Sequence, residues 1–173
     1  NALPARIHCS FRKTSAVSEA LLKSMNRIQL SPNGPDFSRM VYGTWRILDE
    51  EVKPTPSELL ERFKACLDLG ITTLDTAEIY GLFRVEEAIG NALKRDSGVR
   101  SKLQIVTKAG IYVPCDFHPD RKVAQYNASG ARMVKSAEKS LRLLGIDTID
   151  LFLVHRPDWL TSADDTAEGL NQL

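Results

Sequence analysis

Short apolar segments alternate with amphipathic helices along most of this chain, and that alternation limits the possible folds more than any other feature. Helical spacing of apolar residues predicts helices at 57–69, 85–94 and 131–144. Compact apolar runs predict strands at Arg39–Gly43, Ile71–Leu74, Leu103–Thr107 and Ile149–Val154. Because parallel neighbours in a sheet need a helical crossover between them, the pattern predicts an α/β protein with a parallel sheet.

Two architectures contain such a sheet, a doubly wound open sheet and a closed βα barrel. A doubly wound sheet usually carries a glycine-rich turn of GxGxxG spacing after its first strand. The only candidate turn in this sequence, Gly43-Thr44-Trp45, lacks that spacing. We therefore favour the (β/α)8 TIM barrel.

Each predicted strand leads into a residue with a functional side chain. The residues at these strand ends are Trp45, Asp75, Lys108 and His155, and Tyr80 follows Asp75 by five positions. The carboxyl ends of barrel strands form the face on which barrel enzymes carry their active sites. The sequence therefore predicts an enzyme whose catalytic face holds an acid, a phenol, a cation and an imidazole.

These side chains suit proton transfer. A lysine ammonium beside a phenol favours the phenolate and can lower a tyrosine pKa from about 10 towards neutrality, while a carboxylate holds the lysine in place. Tyr80 would then be a proton donor, with Lys108 and Asp75 beside it and His155 orienting a substrate oxygen or assisting the transfer. Taken singly, each residue has a plainer reading: an ion pair at the sheet rim, a packing tyrosine, or a histidine at a strand end. Their occurrence together at matched strand ends favours catalysis.

At these residues the chain resembles the aldo-keto reductase family, in the branch that has His-Arg-Pro-Asp after the fourth strand. The matching segments are Leu69–Gly81 (LGITTLDTAEIYG), Val106-Thr107-Lys108, Leu144-Gly145-Ile146-Asp147 and Val154-His155-Arg156-Pro157-Asp158. Both the identities and the spacing agree. The resemblance extends from about Met25 to the last residue.

The resemblance implies an eight-stranded barrel that reduces aldehydes or ketones with NADPH. It implies that Tyr80 is the general acid, that Asp75 and Lys108 tune it, and that His155 orients the substrate. It also implies that the first βα loop, Gly43, Thr44 and Trp45, contacts the cofactor together with Asp75. The expected partner is a small carbonyl compound.

The segment after Met25 is only about half as long as the barrel of this family. We therefore expect the first four βα units, in residues 25–173, and interpret the chain as a truncated or incompletely represented reductase. Residues 1–24 are rich in Arg and Lys and show no strong periodicity. We expect them to form a disordered leader, or an extension that is foreign to the natural protein.

Composition narrows the class of partner. The formal net charge is +1, with no lysine or arginine stripe, so the charge gives no reason to expect a nucleic acid or an anionic membrane as partner. No apolar run approaches the length of a membrane span. The three cysteines, Cys9, Cys66 and Cys115, are widely separated and lack CxxC spacing, which favours a reducing compartment and predicts a cytoplasmic protein. The sequence leaves the oligomeric state open.

Weaker signals concern single elements. Arg27–Leu30 and Phe37–Met40 flank a turn-rich segment and predict a hairpin before the main sheet. Ser57 is the expected N-cap of the first helix. The polar stretch Ala109–Gly130 is longer than an ordinary βα loop and is a candidate substrate loop.

Two further groups are expected to have no catalytic role. Cys115 and His118 are spaced as half a metal site, but no further ligands lie nearby in the sequence, so no metal site is predicted. Glu86 and Glu87 open the second helix, where carboxylates favour the positive end of the helix dipole.

Three other interpretations stay open at this point. The chain could be a non-enzymatic, cofactor-sensing or interaction subunit on the same fold, or an inactive truncated reductase. It could also be a barrel isomerase or lyase in which Lys108 forms a Schiff base.

Overall fold

A computed structural model describes residues 27–173, so the leader expected over residues 1–24 lies outside the described residues. The strands in that range are β1 (Arg27–Gln29), β2 (Asp36–Ser38), β3 (Val41–Gly43), β4 (Thr73–Asp75), β5 (Gln104–Ala109), β6 (Ile111–Tyr112), β7 (Gln125–Tyr126) and β8 (Leu151–Val154). The helices there are α1 (Pro56–Asp68), α2 (Tyr80–Phe83), α3 (Val85–Leu93), α4 (Ser97–Arg100), α5 (Gly130–Leu144) and α6 (Ala163–Leu170). None of these helices has the length and apolar character needed to cross a membrane.

Four strands form one parallel sheet in the order β3-β4-β5-β8. In its register Gly43 lies opposite Asp75, Asp75 opposite Val106, and Lys108 opposite Leu153. Helical connections join the parallel neighbours, as such pairing requires. The predicted parallel sheet is confirmed, although Asp75 and Lys108 lie within strands β4 and β5 and do not follow them.

The N-cap of helix α1 lies two residues before the predicted one. Thr55 is the N-cap: its hydroxyl accepts a hydrogen bond from the backbone N–H of Glu58, and the Glu58 carboxylate accepts one from the backbone N–H of Thr55. This reciprocal arrangement is a capping box. An N-cap of this kind contributes about 1 kcal/mol to stability. The assignment of Ser57 as N-cap was therefore wrong, because Pro56 already occupies the first turn of the helix.

The end of helix α1 also explains where strand β4 begins. Gly70 adopts a left-handed conformation with φ 76°, as predicted for the residue that stops this helix. The backbone N–H of Ile71 then donates to the carbonyl of Cys66 at 2.8 Å. Since this N–H closes the helix, Ile71 does not join the sheet, and β4 starts at Thr73.

The apolar core lies between the sheet and helices α1, α3 and α5. Its fully buried members include Leu59, Phe63, Leu74, Ile89, Ile105 and Leu144. At the crossing of α3 and α5, a Cβ on Gly90 would come within 2.0 Å of the carbonyl oxygen of Leu143. Only glycine allows these two backbones to approach so closely.

The predicted N-terminal hairpin is confirmed and closes the amino end of the parallel sheet. Strands β1 and β2 pair antiparallel, with Arg27 opposite Ser38. The Arg27 guanidinium donates to the Asp36 carboxylate at 2.6 Å, to the Thr72 hydroxyl at 3.1 Å and to the Gln104 side-chain oxygen at 3.3 Å. The hairpin is thereby fastened to the amino ends of β4 and β5.

The long stretch after Lys108 contains structure that the sequence did not predict. Strands β6 and β7 pair antiparallel, Ile111 with Tyr126 and Tyr112 with Gln125. The hairpin so formed stands at the carboxyl end of the parallel sheet.

Candidate active site

Lys108 is the centre of a hydrogen-bonded group at the carboxyl end of the sheet. Its ammonium donates to the Asp75 carboxylate at 2.7 Å, to the backbone carbonyl of Thr76 at 2.8 Å and to the Tyr80 hydroxyl at 3.1 Å. The lysine side chain is 14% exposed. All three ammonium protons therefore have acceptors, and Lys108, Asp75 and Tyr80 lie together as the sequence analysis expected.

The neighbouring backbone fixes this geometry. Beyond β4, the N–H of Thr76 donates to the carbonyl of Val106 at 2.8 Å, and the N–H of Glu78 donates to the carbonyl of Lys108 at 2.9 Å. The segment after Asp75 thus continues along strand β5, which holds Tyr80 above the lysine.

His155 completes the group from the next strand. Its ring meets that of Tyr80 edge-on, with centroids 5.8 Å apart, and its backbone N–H donates to the carbonyl of Ala109 at 2.8 Å. Burial lowers the pKa of His155, and the positive charges of Lys108 and Arg156 lower it further. The imidazole is therefore neutral at neutral pH, with one N–H donor and one acceptor nitrogen. Its Nδ1 is buried and has no hydrogen-bond partner among the described residues.

A cleft of about 390 Å³ opens over this group. Its apolar walls come from Trp45, Ile79, Leu82 and Val113, and its polar lining comes from Asp49, Tyr80 and His155. The Tyr80 and His155 side chains thus face a space large enough for a small molecule.

The first βα loop contributes in three different ways. Thr44 is buried, and both its N–H and its hydroxyl donate to the carbonyl of Asp75 at 2.9 Å, so it ties the loop to β4. Trp45 is 62% exposed and lies 6.4 Å from the Tyr80 ring, centroid to centroid. A Cβ on Gly43 would meet no atom within 4 Å, so open space adjoins the strand end there.

These features fit the nicotinamide end of a cofactor. Open space at Gly43 lets a ligand approach the backbone closely. The buried hydroxyl of Thr76 and Nδ1 of His155 have no partner among the described residues. Buried polar atoms without a partner are rare in native proteins, and a ligand is one way to satisfy them.

Sequence reasoning missed a buried ion pair behind the Tyr80 loop. The Arg132 guanidinium donates to the Glu78 carboxylate at 2.7 Å, and their side chains are 8% and 3% exposed. Lys139 approaches the other Glu78 oxygen at 3.8 Å, and the Arg132 guanidinium lies over the Tyr112 ring. The pair links the Tyr80 loop to helix α5 and to the β6–β7 hairpin.

Sequence reasoning also missed the burial of Glu86. It is 1% exposed, and its carboxyl group is hydrogen-bonded to the hydroxyls of Thr107 at 2.7 Å and Ser140 at 3.0 Å. Burial raises the pKa of Glu86. Glu86 and Glu87 both lie in the first turn of helix α3, as predicted, but only Glu87 is exposed.

His118 packs as an aromatic side chain. Its ring lies edge-on to Phe83 and Tyr112, with centroid distances of 4.7 and 4.9 Å. Burial lowers its pKa, with the nearby charge of Lys139 adding to the effect. Among residues 27–173, no group of three His, Cys, Asp or Glu side chains is placed to hold a metal ion. This applies to the surroundings of Cys115 as well.

Comparison with known proteins gives a consistent result. The sequence profile of the aldo/keto reductase family matches residues 39–173. The chain is 42% identical over 149 residues to 6-dehydroglucose reductase of Agrobacterium fabrum, covering 86% of this chain and 50% of that protein. It is 39% identical over 149 residues to oxidoreductase YdhF of Escherichia coli, covering 86% of this chain and 49% of that protein.

A solved structure agrees with these sequences. The glycerol dehydrogenase AKR11B4 of Gluconobacter oxydans superposes with a TM-score of 0.70 at 32% sequence identity, covering 86% of this chain and 44% of that chain. This chain therefore spans about half the length of the curated relatives that it matches.

Proposed function

Because this chain belongs to the aldo/keto reductase family, and its parallel sheet supplies four βα units of that family's TIM barrel, we propose that it carries out the NADPH-dependent reduction of an aldehyde or ketone. The observation that carries the proposal is the contact of the Lys108 ammonium with both Asp75 and the Tyr80 hydroxyl, at 2.7 and 3.1 Å. A carbonyl oxygen placed in the cleft above would meet Tyr80 and His155.

Tyr80 is the proposed general acid. Its oxygen accepts a hydrogen bond from Lys108, which leaves its own proton free to be donated into the cleft. The hydride for the carbonyl carbon would come from a nicotinamide cofactor when one is bound. Tyr80 then gives its proton to the alkoxide oxygen, and the phenolate that remains is stabilised by the adjacent ammonium. A well-placed general acid contributes roughly 10²- to 10⁴-fold in rate.

His155 is proposed to orient the carbonyl oxygen. Its lowered pKa keeps the ring neutral, so an imidazole N–H can donate to that oxygen without an added positive charge. Gly43, Trp45 and Asp75 are the residues that would hold the nicotinamide end of NADPH, whereas Thr44 is fully buried and would act only by tying the loop to β4.

The proposal also concerns the location of the protein and the class of its substrate. The cytoplasmic location inferred from the scattered cysteines stays a prediction. The Agrobacterium relative is named for 6-dehydroglucose, so a carbohydrate carbonyl compound belongs among the substrates to be tested.

The proposal is tested by mixing the purified chain with NADPH and an aromatic aldehyde and following loss of NADPH absorbance. We expect turnover by the parent chain and its loss in Tyr80→Phe. Tyr126→Phe is the matched control, because Tyr126 is 51% exposed on strand β7 and the substitution removes the same hydroxyl without touching the cleft. No NADPH oxidation by the parent chain contradicts the proposal for this chain. Cofactor binding without turnover would favour the non-enzymatic, cofactor-sensing alternative.

A Schiff-base role for Lys108 fits the site less well. A nucleophilic amine must be neutral, whereas this nitrogen donates three hydrogen bonds and faces the Asp75 carboxylate. Borohydride trapping with a carbonyl substrate should therefore leave Lys108 unlabelled.

A further inference from the structure

The backbone directly after Tyr80 is left-handed over three successive residues. The φ angles are 57° at Gly81, 53° at Leu82 and 70° at Phe83. Glycine adopts this conformation freely, but at a residue with a Cβ it is strained by about 1–2 kcal/mol. Such strain persists only where something in the surrounding structure, or in its function, maintains it.

Phe83 shows how packing offsets this strain. It is 4% exposed, its ring lies edge-on to His118, and the Lys139 ammonium stands 5.2 Å from the ring centroid. Full burial of a phenylalanine contributes about 1.5–3 kcal/mol, which is enough to hold the left-handed conformation.

Leu82 has no such compensation. It is 48% exposed, and it lines the cleft together with Tyr80 and His155. The strained backbone therefore holds an apolar side chain half in solvent, beside the two groups that face the reacting carbonyl.

We propose that Leu82 is a specificity-determining residue for the reduction. Together with Trp45 and Val113 it forms a fixed apolar wall that selects carbonyl compounds bearing an aryl or branched alkyl group. The inference rests on the proposed function only in taking the ligand to be a carbonyl compound. The preference for apolar ligands can be measured as binding, without turnover. Because the backbone at Leu82 is already held in one conformation, binding needs little further ordering of the backbone there.

The binding test uses benzyl alcohol, the neutral alcohol of the proposed substrate class, and D-glucose as a polar comparator. Saturation-transfer NMR titrations of the full chain give the Kd for each ligand. We expect Leu82→Ala to raise the Kd of benzyl alcohol roughly fivefold through lost apolar contact and to leave D-glucose binding unchanged. Leu82→Met, which keeps the apolar volume, should restore the parent affinity.

Leu69→Ala is the matched control, because Leu69 is 60% exposed at the end of helix α1 and does not line the cleft. It should leave both Kd values unchanged. The proposal is overturned if the parent chain does not bind benzyl alcohol, or if Leu82→Ala binds it as tightly as the parent. It is also overturned if Leu82→Ala weakens D-glucose and benzyl alcohol equally.

The strain is tested separately by thermal unfolding. The melting temperature of Leu82→Gly should lie roughly 2–4 °C above that of Leu82→Ala, because glycine relieves the left-handed strain. At position 69, where φ is −86°, the melting temperature of Leu69→Gly should lie below that of Leu69→Ala. An alanine variant at 82 that melts above the glycine variant contradicts the stored strain and with it the proposal.

Turnover of the same samples with NADPH distinguishes this inference from the proposed function. A chain that binds benzyl alcohol through Leu82 but does not oxidise NADPH would contradict only the reductase assignment. A chain that turns over aromatic and small polar aldehydes alike, with no response to Leu82→Ala, would contradict only the specificity role.

Discussion

The two ends of the parallel sheet use polar side chains in opposite ways. At the amino end, the buried Ser38 hydroxyl accepts from the backbone N–H groups of Thr72 and Thr73 at 3.1 Å and also contacts the Thr73 hydroxyl. The buried side-chain atoms that lack a partner within residues 27–173 all lie at or behind the carboxyl end: Thr76 Oγ1, His118 Nε2, Arg132 Nε and His155 Nδ1. One end is closed by its own hydrogen bonds, whereas the other leaves these four buried polar atoms unpaired among the described residues.

By this difference, polar residues at the amino end stabilise the fold, and those at the carboxyl end are the ones for which we propose a function. A satisfied buried hydroxyl contributes to the free energy of unfolding, whereas an unsatisfied one lowers it unless a ligand intervenes. The contrast leads to predictions that separate stability from activity.

The largest effect is expected at Lys108. Lys108→Met removes the donor to the Tyr80 hydroxyl and the partner of Asp75, so kcat/KM for aldehyde reduction should fall by about 10³-fold. Arg27→Met is the matched control at the amino end, since it removes a cation with a similar number of hydrogen bonds. Turnover by the Arg27 variant should match the parent. Equal losses in both variants would show that the two ends do not differ in function.

The buried pair behind the Tyr80 loop should give the largest effect on stability. Arg132→Met leaves the Glu78 carboxylate buried without its closest partner and should lower the free energy of unfolding by about 3 kcal/mol in urea titrations. The double variant Glu78→Met/Arg132→Met should recover most of that loss. The exposed pair Arg62–Glu50, although bidentate, should show little change on Arg62→Met. A double variant as unstable as Arg132→Met would mean that packing, and not the stranded charge, governs the loss.

A smaller effect is expected when one buried hydroxyl is removed at each end of the sheet. Ser38→Ala leaves two backbone N–H groups without their acceptor and should lower the free energy of unfolding by about 1–3 kcal/mol. Thr76→Val removes a buried hydroxyl that has no partner among the described residues, at nearly constant shape, and should leave stability unchanged or raise it. Chemical denaturation of both variants checks this pair. A destabilised Thr76→Val would show that its hydroxyl does have a structural partner.

The sequence was sufficient to predict the parallel sheet and the residues at its carboxyl end. Asp75 and Lys108 could be placed together because strand order and direction follow from the alternation of strand and helix, and functional residues at parallel strand ends converge on one face. The contact between Lys108 Nζ and Asp75 Oδ1 at 2.7 Å agrees with that expectation.

Other features depend on tertiary packing that no local pattern reports. Glu86 follows the same rule as Glu87 in the sequence, yet only Glu86 is buried, because helix α5 places Ser140 against it. The left-handed Leu82 and Phe83 carry none of the glycine or asparagine signals that predict positive φ.

Two elements were missed although their signals were present. Pro56 at the first turn with Glu58 three residues after Thr55 is the pattern of a capping box, and it identifies Thr55 as the N-cap. Ser162 ahead of Asp164 and Asp165 likewise marks the start of helix α6.

The smallest expected effect is on the pH dependence of stability, and it again belongs to the carboxyl end, where both histidines of the described residues lie. At pH values well above about 6.5 the imidazole of His155 is neutral in both the folded and the unfolded chain. Below that pH the unfolded chain binds a proton that the folded chain, with its lowered pKa, resists, so the free energy of unfolding falls as the pH drops. His155→Gln should reduce this fall between about pH 8 and pH 5 in urea titrations, and so should His118→Gln, whose pKa is lowered too. A ligand that hydrogen-bonds the neutral ring in the cleft should steepen the fall in the parent and not in His155→Gln. The two single variants could instead keep the parent's dependence of the free energy of unfolding on pH. The histidines at the carboxyl end would then not resist protonation, and that end would differ from the amino end only in its unsatisfied hydrogen bonds.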